Sequence, residues 1–296
     1  MDVATSLALD SLQVIALLLM GIGIFLKRDN AHIFRAVGWT CLGIFWGCQA
    51  PLYFTSNDYV NALGVALALP VFIYLGYHEY LSYKWREEYA PLRFVTIAMF
   101  AASLGYFVFD RVPAMGGALI LLVAFQSVWL VNLTGTSFGV QGLDYAGNPW
   151  YYRLNLDPAA EVSAPLTGVN IKIVLACTAI QALFILGAFV FASRAKGCTK
   201  WTAFGVIAPI VYVVNLFRNF IVIWLVHVNG PEYFEFAHNV IGKGLSLGAL
   251  VGLTLFAFWL IPELYEDING LFVLPWRRKP GHDYLEGLRK PVETPK

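Results

Sequence analysis

Charge is scarce in this chain. Only 13% of its 296 residues are Asp, Glu, Lys or Arg, while 58% are hydrophobic, about half the charged share of an ordinary soluble domain. With a mean hydropathy of +0.64, that shortage excludes a soluble globular fold. The charges that remain nearly cancel, to a formal +1, which excludes a surface built for nucleic acid or another polyanion. Cysteine is sparse as well. Cys41, Cys48, Cys177 and Cys198 are the four, and none has the C-x-x-C spacing of a metal site, so neither a metal nor another cofactor is expected. Cys41 and Cys48 lie seven apart and would share a helix face as small packing residues. The first apolar run has no basic stretch before it and no small-residue cleavage motif after it, so no cleavable signal is expected. No internal repeat is visible.

What is abundant is apolar sequence in long runs. Eight stretches, roughly 7–26, 36–54, 60–80, 94–110, 115–134, 171–193, 203–227 and 240–262, approach or exceed the length needed to cross a bilayer as a helix. Barrel strands alternate over about ten residues and these runs do not. The expected fold is therefore all-α, a polytopic helical membrane protein of about eight transmembrane helices. It divides into an amino-terminal membrane part (1–134), an extracytoplasmic loop or lid (135–170), a carboxy-terminal membrane part (171–263) and a cytoplasmic tail (264–296). The long loop carries Gly, Pro, Asp and Asn beside the aromatic trio Trp150-Tyr151-Tyr152, and a segment of that length is expected to fold as a lid at the headgroup level.

The orientation rule for basic loops gives two answers. Arg194, Lys196 and Lys200, then Arg277, Arg278 and Lys279, place two late segments inside, with the long loop and 229–239 outside. Lys27, Arg28 and Arg35, then Lys84, Arg86 and Arg93, would also prefer the inside. Five spans before the long loop put them outside instead. Either one early segment does not cross, or the rule fails. Following the later half places the amino terminus inside.

Three late residues carry chemical potential. Cys177 lies about six residues into the sixth run, roughly 9 Å below its outer end at 1.5 Å per residue. Arg218 lies about nine residues before the end of the antiparallel seventh run, roughly 14 Å deep, with a side chain long enough to reach back. His238 stands just before the eighth run. All three can meet in the outer leaflet, under the long loop. An Arg within a membrane helix is costly and marks a functional site by default. Gln181 follows Cys177 by four residues, while Asn215, Arg218 and Asn219 share a face by their i, i+3, i+4 spacing, giving a polar stripe that should point into the bundle. The plainer reading is a cluster of helix–helix hydrogen bonds.

A thiol next to a cation and an imidazole is an activated nucleophile. His238 could take and return the proton, and Arg218 could hold the thiolate or an oxyanion through its planar fork. His227, at the end of the seventh run, is the rival base but reads as a surface residue. Glu232 and Glu235 could orient an imidazole or simply be solvated. Lys243 should snorkel outward, and His32, His78 and His282 lie far away.

The segments Ala176-Cys177-Thr178-Ala179-Ile180-Gln181, Asn215-Leu216-Phe217-Arg218-Asn219 and Ala237-His238-Asn239-Val240-Ile241-Gly242-Lys243 resemble, in order and spacing, the Cys, Arg and His positions of the exosortase/archaeosortase family, its archaeal branch most closely. The resemblance covers about residues 170–262. It implies a membrane cysteine protease-transpeptidase with Cys177, Arg218 and His238 as catalytic residues and Gln181, Asn215, Asn219 and Asn239 lining or supporting the pocket. It implies substrates that are exported proteins ending in a Pro-Gly-Phe motif, a hydrophobic signal helix and a basic tail. These are cut and joined to a membrane lipid on the outer face of the cell membrane. Read from the residues alone, two alternatives stay open: a transporter or channel with an anion site at Arg218, and a non-catalytic partner of another membrane enzyme.

Overall fold

The computed structural model describes residues 3–26, 30–55, 58–144, 158–164 and 168–279. The aromatic trio at 150–152, Lys27, Arg28 and His282 lie outside the described residues. The chain is a helical membrane protein. Helices α1 (Val3–Phe25), α2 (Ala31–Gly47), the short α3 (Ala50–Thr55), α4 (Tyr59–Trp85), α5 (Ala90–Arg111) and α6 (Pro113–Asn132) precede a three-stranded antiparallel sheet, β1 (Gly139–Asp144), β2 (Ala159–Ala164) and β3 (Val169–Ile173). Helices α7 (Ile180–Ala192), α8 (Gly197–Asn229), the one-turn α9 (Phe234–Phe236), α10 (Lys243–Leu260) and α11 (Pro262–Phe272) follow.

Among the described residues, six helical stretches are long and apolar enough to cross a membrane. The second and sixth expected spans are shorter, 17 residues in α2 and 13 in α7. Residues 171–173 of the expected sixth span belong to β3, and an extended Val174 leads from it into a 3-10 turn, Leu175–Cys177. The residues explain this: Val169, Ile171 and Ile173 are buried while Asn170 and Lys172 are exposed, the period-two pattern of a strand. A short apolar run does not separate strand from helix by itself. The sheet roofs one core, where Val162, Val169 and Ile171 pack with Ile120 and Val131 of α6 and Val222 and Val226 of α8. β1 bulges between Val140 and Leu143, at Gly142 with φ +97°, a conformation glycine adopts without strain.

Ion pairs mark the two ends of the bundle. At one end, Arg35 (1% exposed) bonds Glu79 (0% exposed) and Glu88, with His32 alongside. Arg277 donates to the His78 carbonyl and to Glu87, and lies over the rings of Trp85 and Tyr89. Tyr89 reaches the Gly270 carbonyl, and Arg194 Nε bonds Asp267 at 2.6 Å. The start of α2, the end of α4, the start of α5, the end of α7 and the segment after α11 therefore share this end. At the other end Arg111 bonds Asp10 and Lys243 bonds Asp58.

This arrangement removes the conflict in the orientation rule. Most described basic residues of both halves gather at one end, with Arg111 and Lys243 at the other, because the sheet returns the chain to the end at which α6 begins. That helix starts beside Arg111, where a Cβ on Gly116 would sit 4.0 Å from Leu175. Its last residue, Asn132, holds the entry to the sheet through Phe138 N and O, and the sheet leads straight back to Leu175. Asp10 lies at the end opposite the basic cluster, so the amino terminus shares the end that holds Cys177. The expectation that it lies with the basic tail is corrected.

Candidate active site

Cys177 closes the 3-10 turn that joins β3 to α7. Thr178, fully buried, ties that turn with its hydroxyl on the Leu175 carbonyl at 2.7 Å. Ala179 then takes φ +66°, a left-handed conformation that costs a non-glycine residue roughly 1–2 kcal/mol, and α7 begins at Ile180. The cysteine thus sits on a bent connection ahead of the helix. The i, i+4 relation to Gln181 requires a continuous helix and does not hold. Gln181 is exposed.

The connection is held from α8. Asn215 Nδ2 and Asn219 Nδ2 both donate to the Cys177 carbonyl, at 2.7 and 3.0 Å. One turn of helix separates them, so one face presents two amides to one acceptor. Arg218, 8% exposed, lies on the same face and places Nη1 3.5 Å from Asn219 Oδ1. The Asn219 amide is therefore used at both ends, nitrogen toward Cys177 and oxygen toward Arg218. Arg218 Nε donates to the Gly242 carbonyl at 3.3 Å. A Cβ on Gly242 would stand 3.1 Å from Val222 and 3.4 Å from Arg218 Nε, so the two elements approach closely here and a larger residue would push its neighbours by a few tenths of an ångström.

Gly242 ends a π-helical turn, Ala237–Gly242, that contains His238. Such turns are rare and concentrate at functional sites. The imidazole is half-buried and stacks on Phe234, with ring centroids 5.3 Å apart and 12° between planes. Arg218, Lys243 and Asp58 all act on it electrostatically. Cys177, Asn215, Asn219, Arg218 and the His238 turn thus form one connected cluster. Asn239 turns away from the clamp, donating to Glu235 at 2.6 Å.

Other expectations change. His227 sits in the last turn of α8 and is half-buried: its ring packs on Phe138 at 5.4 Å, and its Nδ1 is buried without a hydrogen-bond partner among the described residues. Lys243 does not snorkel outward but pairs with Asp58. Asp58 escaped the sequence reading, although an Asp three residues before Asn61 at a helix start is a capping signal. Burial raises the Asp58 pKa, but the bonds from Lys243 and Asn61 outweigh it and hold the carboxyl below its ordinary value. Beside the cysteine, an apolar slot of about 60 Å³ opens between Ala179 and Ala182 of the α7 region, Asn215 of α8 and Ala249 of α10. Among the described residues, no three His, Cys, Asp or Glu side chains gather where they could hold a metal ion.

The family model described as transmembrane exosortase matches residues 6–258. The chain belongs to the transmembrane exosortase family. It is also similar to archaeosortase A of Haloferax volcanii, with 27% identity over 277 residues, covering 83% of this chain and 86% of the relative. No solved structure matches it.

Proposed function

We propose that this chain is a membrane cysteine protease-transpeptidase. It would cleave a carboxy-terminal sorting signal of the Pro-Gly-Phe type from exported proteins and transfer them to a membrane lipid. Membership of the family supports a membrane sorting function of the transpeptidase type, in a multi-pass membrane protein. The observation that carries the finer reading is the state of Arg218. It is a buried guanidinium whose described hydrogen bonds go to neutral acceptors, a carbonyl and an amide. Among the described residues no carboxylate pairs with its charge, and it shares Asn219 with the clamp on Cys177. A buried cation in that condition stabilises a thiolate or an oxyanion that forms beside it.

In the reaction, the Cys177 thiolate attacks the carbonyl carbon of the scissile peptide. Negative charge passes to the carbonyl oxygen, where the Arg218 fork donates. Collapse breaks the C–N bond as His238 protonates the leaving amine, and a thioester on Cys177 remains. An amine or hydroxyl on the acceptor lipid then attacks the thioester. His238 accepts its proton and the thiolate leaves. The gathering of basic residues at the far end supports an active site on the outer face of the membrane.

The test follows a fusion protein ending in a Pro-Gly-Phe segment, a hydrophobic helix and a basic tail by its size on a gel. Cys177→Ala should reach the membrane at normal levels and leave the fusion uncut. Normal maturation by Cys177→Ala refutes the proposal.

A further inference from the structure

Away from the Cys177 cluster, the larger polar groupings lie at the basic end and pair among themselves, as His32, Arg35, Glu79 and Glu88 do. A cavity of about 460 Å³ beside Trp39, Phe72 and Leu271 is lined almost entirely by apolar side chains and by no charged one. One charged pair touches the proposed site, and its carboxylate comes from the amino-terminal half. Asp58 and Lys243 are 185 residues apart in sequence and bonded through space.

Asp58 caps α4. Its carboxylate accepts from the Asn61 backbone N–H at 3.2 Å and from Asn61 Nδ2 at 2.8 Å. The two charged side chains keep only 19% and 16% of their exposure, so the pair is less screened than a surface pair. Lys243 immediately follows the π-helical turn, and the carbonyl it follows, that of Gly242, is the one that accepts from Arg218. Asp58 is also the carboxylate that acts on His238 together with the Arg218 and Lys243 cations.

The geometry points to Asp58 as a positioning residue of the reaction, a tether from α4 that holds Lys243 and, through it, the turn carrying His238 and the Gly242 carbonyl. The assignment rests on the proposed roles of Cys177, Arg218 and His238. Without the carboxylate, Lys243 becomes an uncompensated cation beside the site, and the turn loses its anchor to the amino-terminal half. Asn caps helices as well as Asp does, so Asp58→Asn removes the charge tether while keeping the cap.

The experiment measures initial rates on the same fusion protein with Asp58→Asn, Asp58→Glu, Lys243→Met and the double variant Asp58→Asn/Lys243→Met. Asp58→Asn and Lys243→Met should each lower kcat about 10- to 100-fold with KM within about twofold, while Asp58→Glu stays within about fivefold of wild type. The double variant should be no worse than the poorer single, because both singles break one interaction. The Asp58→Asn defect should also be constant from about pH 5 to 8. A carboxylate held below its ordinary pKa stays ionised there, and its pair is lost only as pH falls through that lowered value. Wild-type kcat in Asp58→Asn, or losses that multiply in the double variant, overturns the tether. A purely structural ion pair would lower the melting temperature of Asp58→Asn and leave kcat of the folded enzyme unchanged, which also overturns the tether. Cys177→Ala run in parallel separates the failures. If it is inactive while Asp58→Asn is normal, the tether alone falls. If Cys177→Ala is active, the catalytic reading falls and the tether with it.

Discussion

The amide clamp on the Cys177 carbonyl gives the sharpest quantitative expectation. Two donors, the half-buried Asn215 at 2.7 Å and the buried Asn219 at 3.0 Å, share one acceptor. Asn215→Ala removes one bond and leaves the other, a net loss of about 1 kcal/mol, or roughly fivefold if the bond positions the cysteine in the transition state. Asn219→Ala removes its bond to the carbonyl and also its long contact with Arg218, about 2 kcal/mol in all and roughly 20- to 30-fold. Removing both leaves the carbonyl with no partner from α8. That adds about 1 kcal/mol of unsatisfied desolvation beyond the sum, so the double variant should lose about 4 kcal/mol, close to a thousandfold. The assay is the initial rate of fusion-protein conversion per unit of enzyme in the membrane, with KM measured separately. The excess over the product of the single effects carries the information. A double variant whose loss equals that product, or single variants within twofold of wild type, would refute the view that the clamp aims the nucleophile.

Arg218→Lys keeps a charge but loses the fork that reaches both Gly242 and Asn219, and should lose at least about 100-fold in kcat; near-normal turnover would leave only a point charge at work. His238→Ala should cost about 100- to 10,000-fold in initial rate. His227→Ala, which removes a ring packed on Phe138, should instead reduce thermal stability with a small effect on kcat, and the opposite ranking in rates would move the base to His227. In intact cells, a membrane-impermeant thiol reagent should label a cysteine at Asp10 and one at Lys172 in an otherwise cysteine-free protein and spare one at Glu87. Labelling of positions 10 and 87 with sparing of 172 would contradict the common end of the amino terminus and the sheet.

The polar face of α8 was legible because it obeys a local rule. Asn215, Arg218 and Asn219 fall on one side at i, i+3 and i+4, and the structure uses that side against Cys177 and Gly242. The path into Cys177 was misread because the alternation in Val169–Val174, apolar at 169, 171 and 173 around Asn170 and Lys172, is short and runs directly into the apolar stretch of α7, and so was absorbed into one long run. Gln181 was drawn toward the cysteine by the same assumption of a continuous helix, which the left-handed Ala179 breaks. The roles of Lys243 and Asp58 had no local signature as a pair, since each looks like an ordinary charge at a helix end.

The sequence by itself determined that this is a helical, multi-pass membrane protein, because a chain so poor in charge and so rich in long apolar runs has no other way to satisfy its backbone and bury its side chains. It also determined which residue types could do chemistry and that three late segments carry them in order. Tertiary structure decided which end of the bundle each group occupies, that the sheet after α6 brings the chain back to the end where α6 began, and that Asp58 of the amino-terminal half reaches the turn of His238. Those outcomes depend on contacts between residues far apart in the chain. Packing and ion pairing select such contacts, and the local periodicity from which a sequence is read does not contain them.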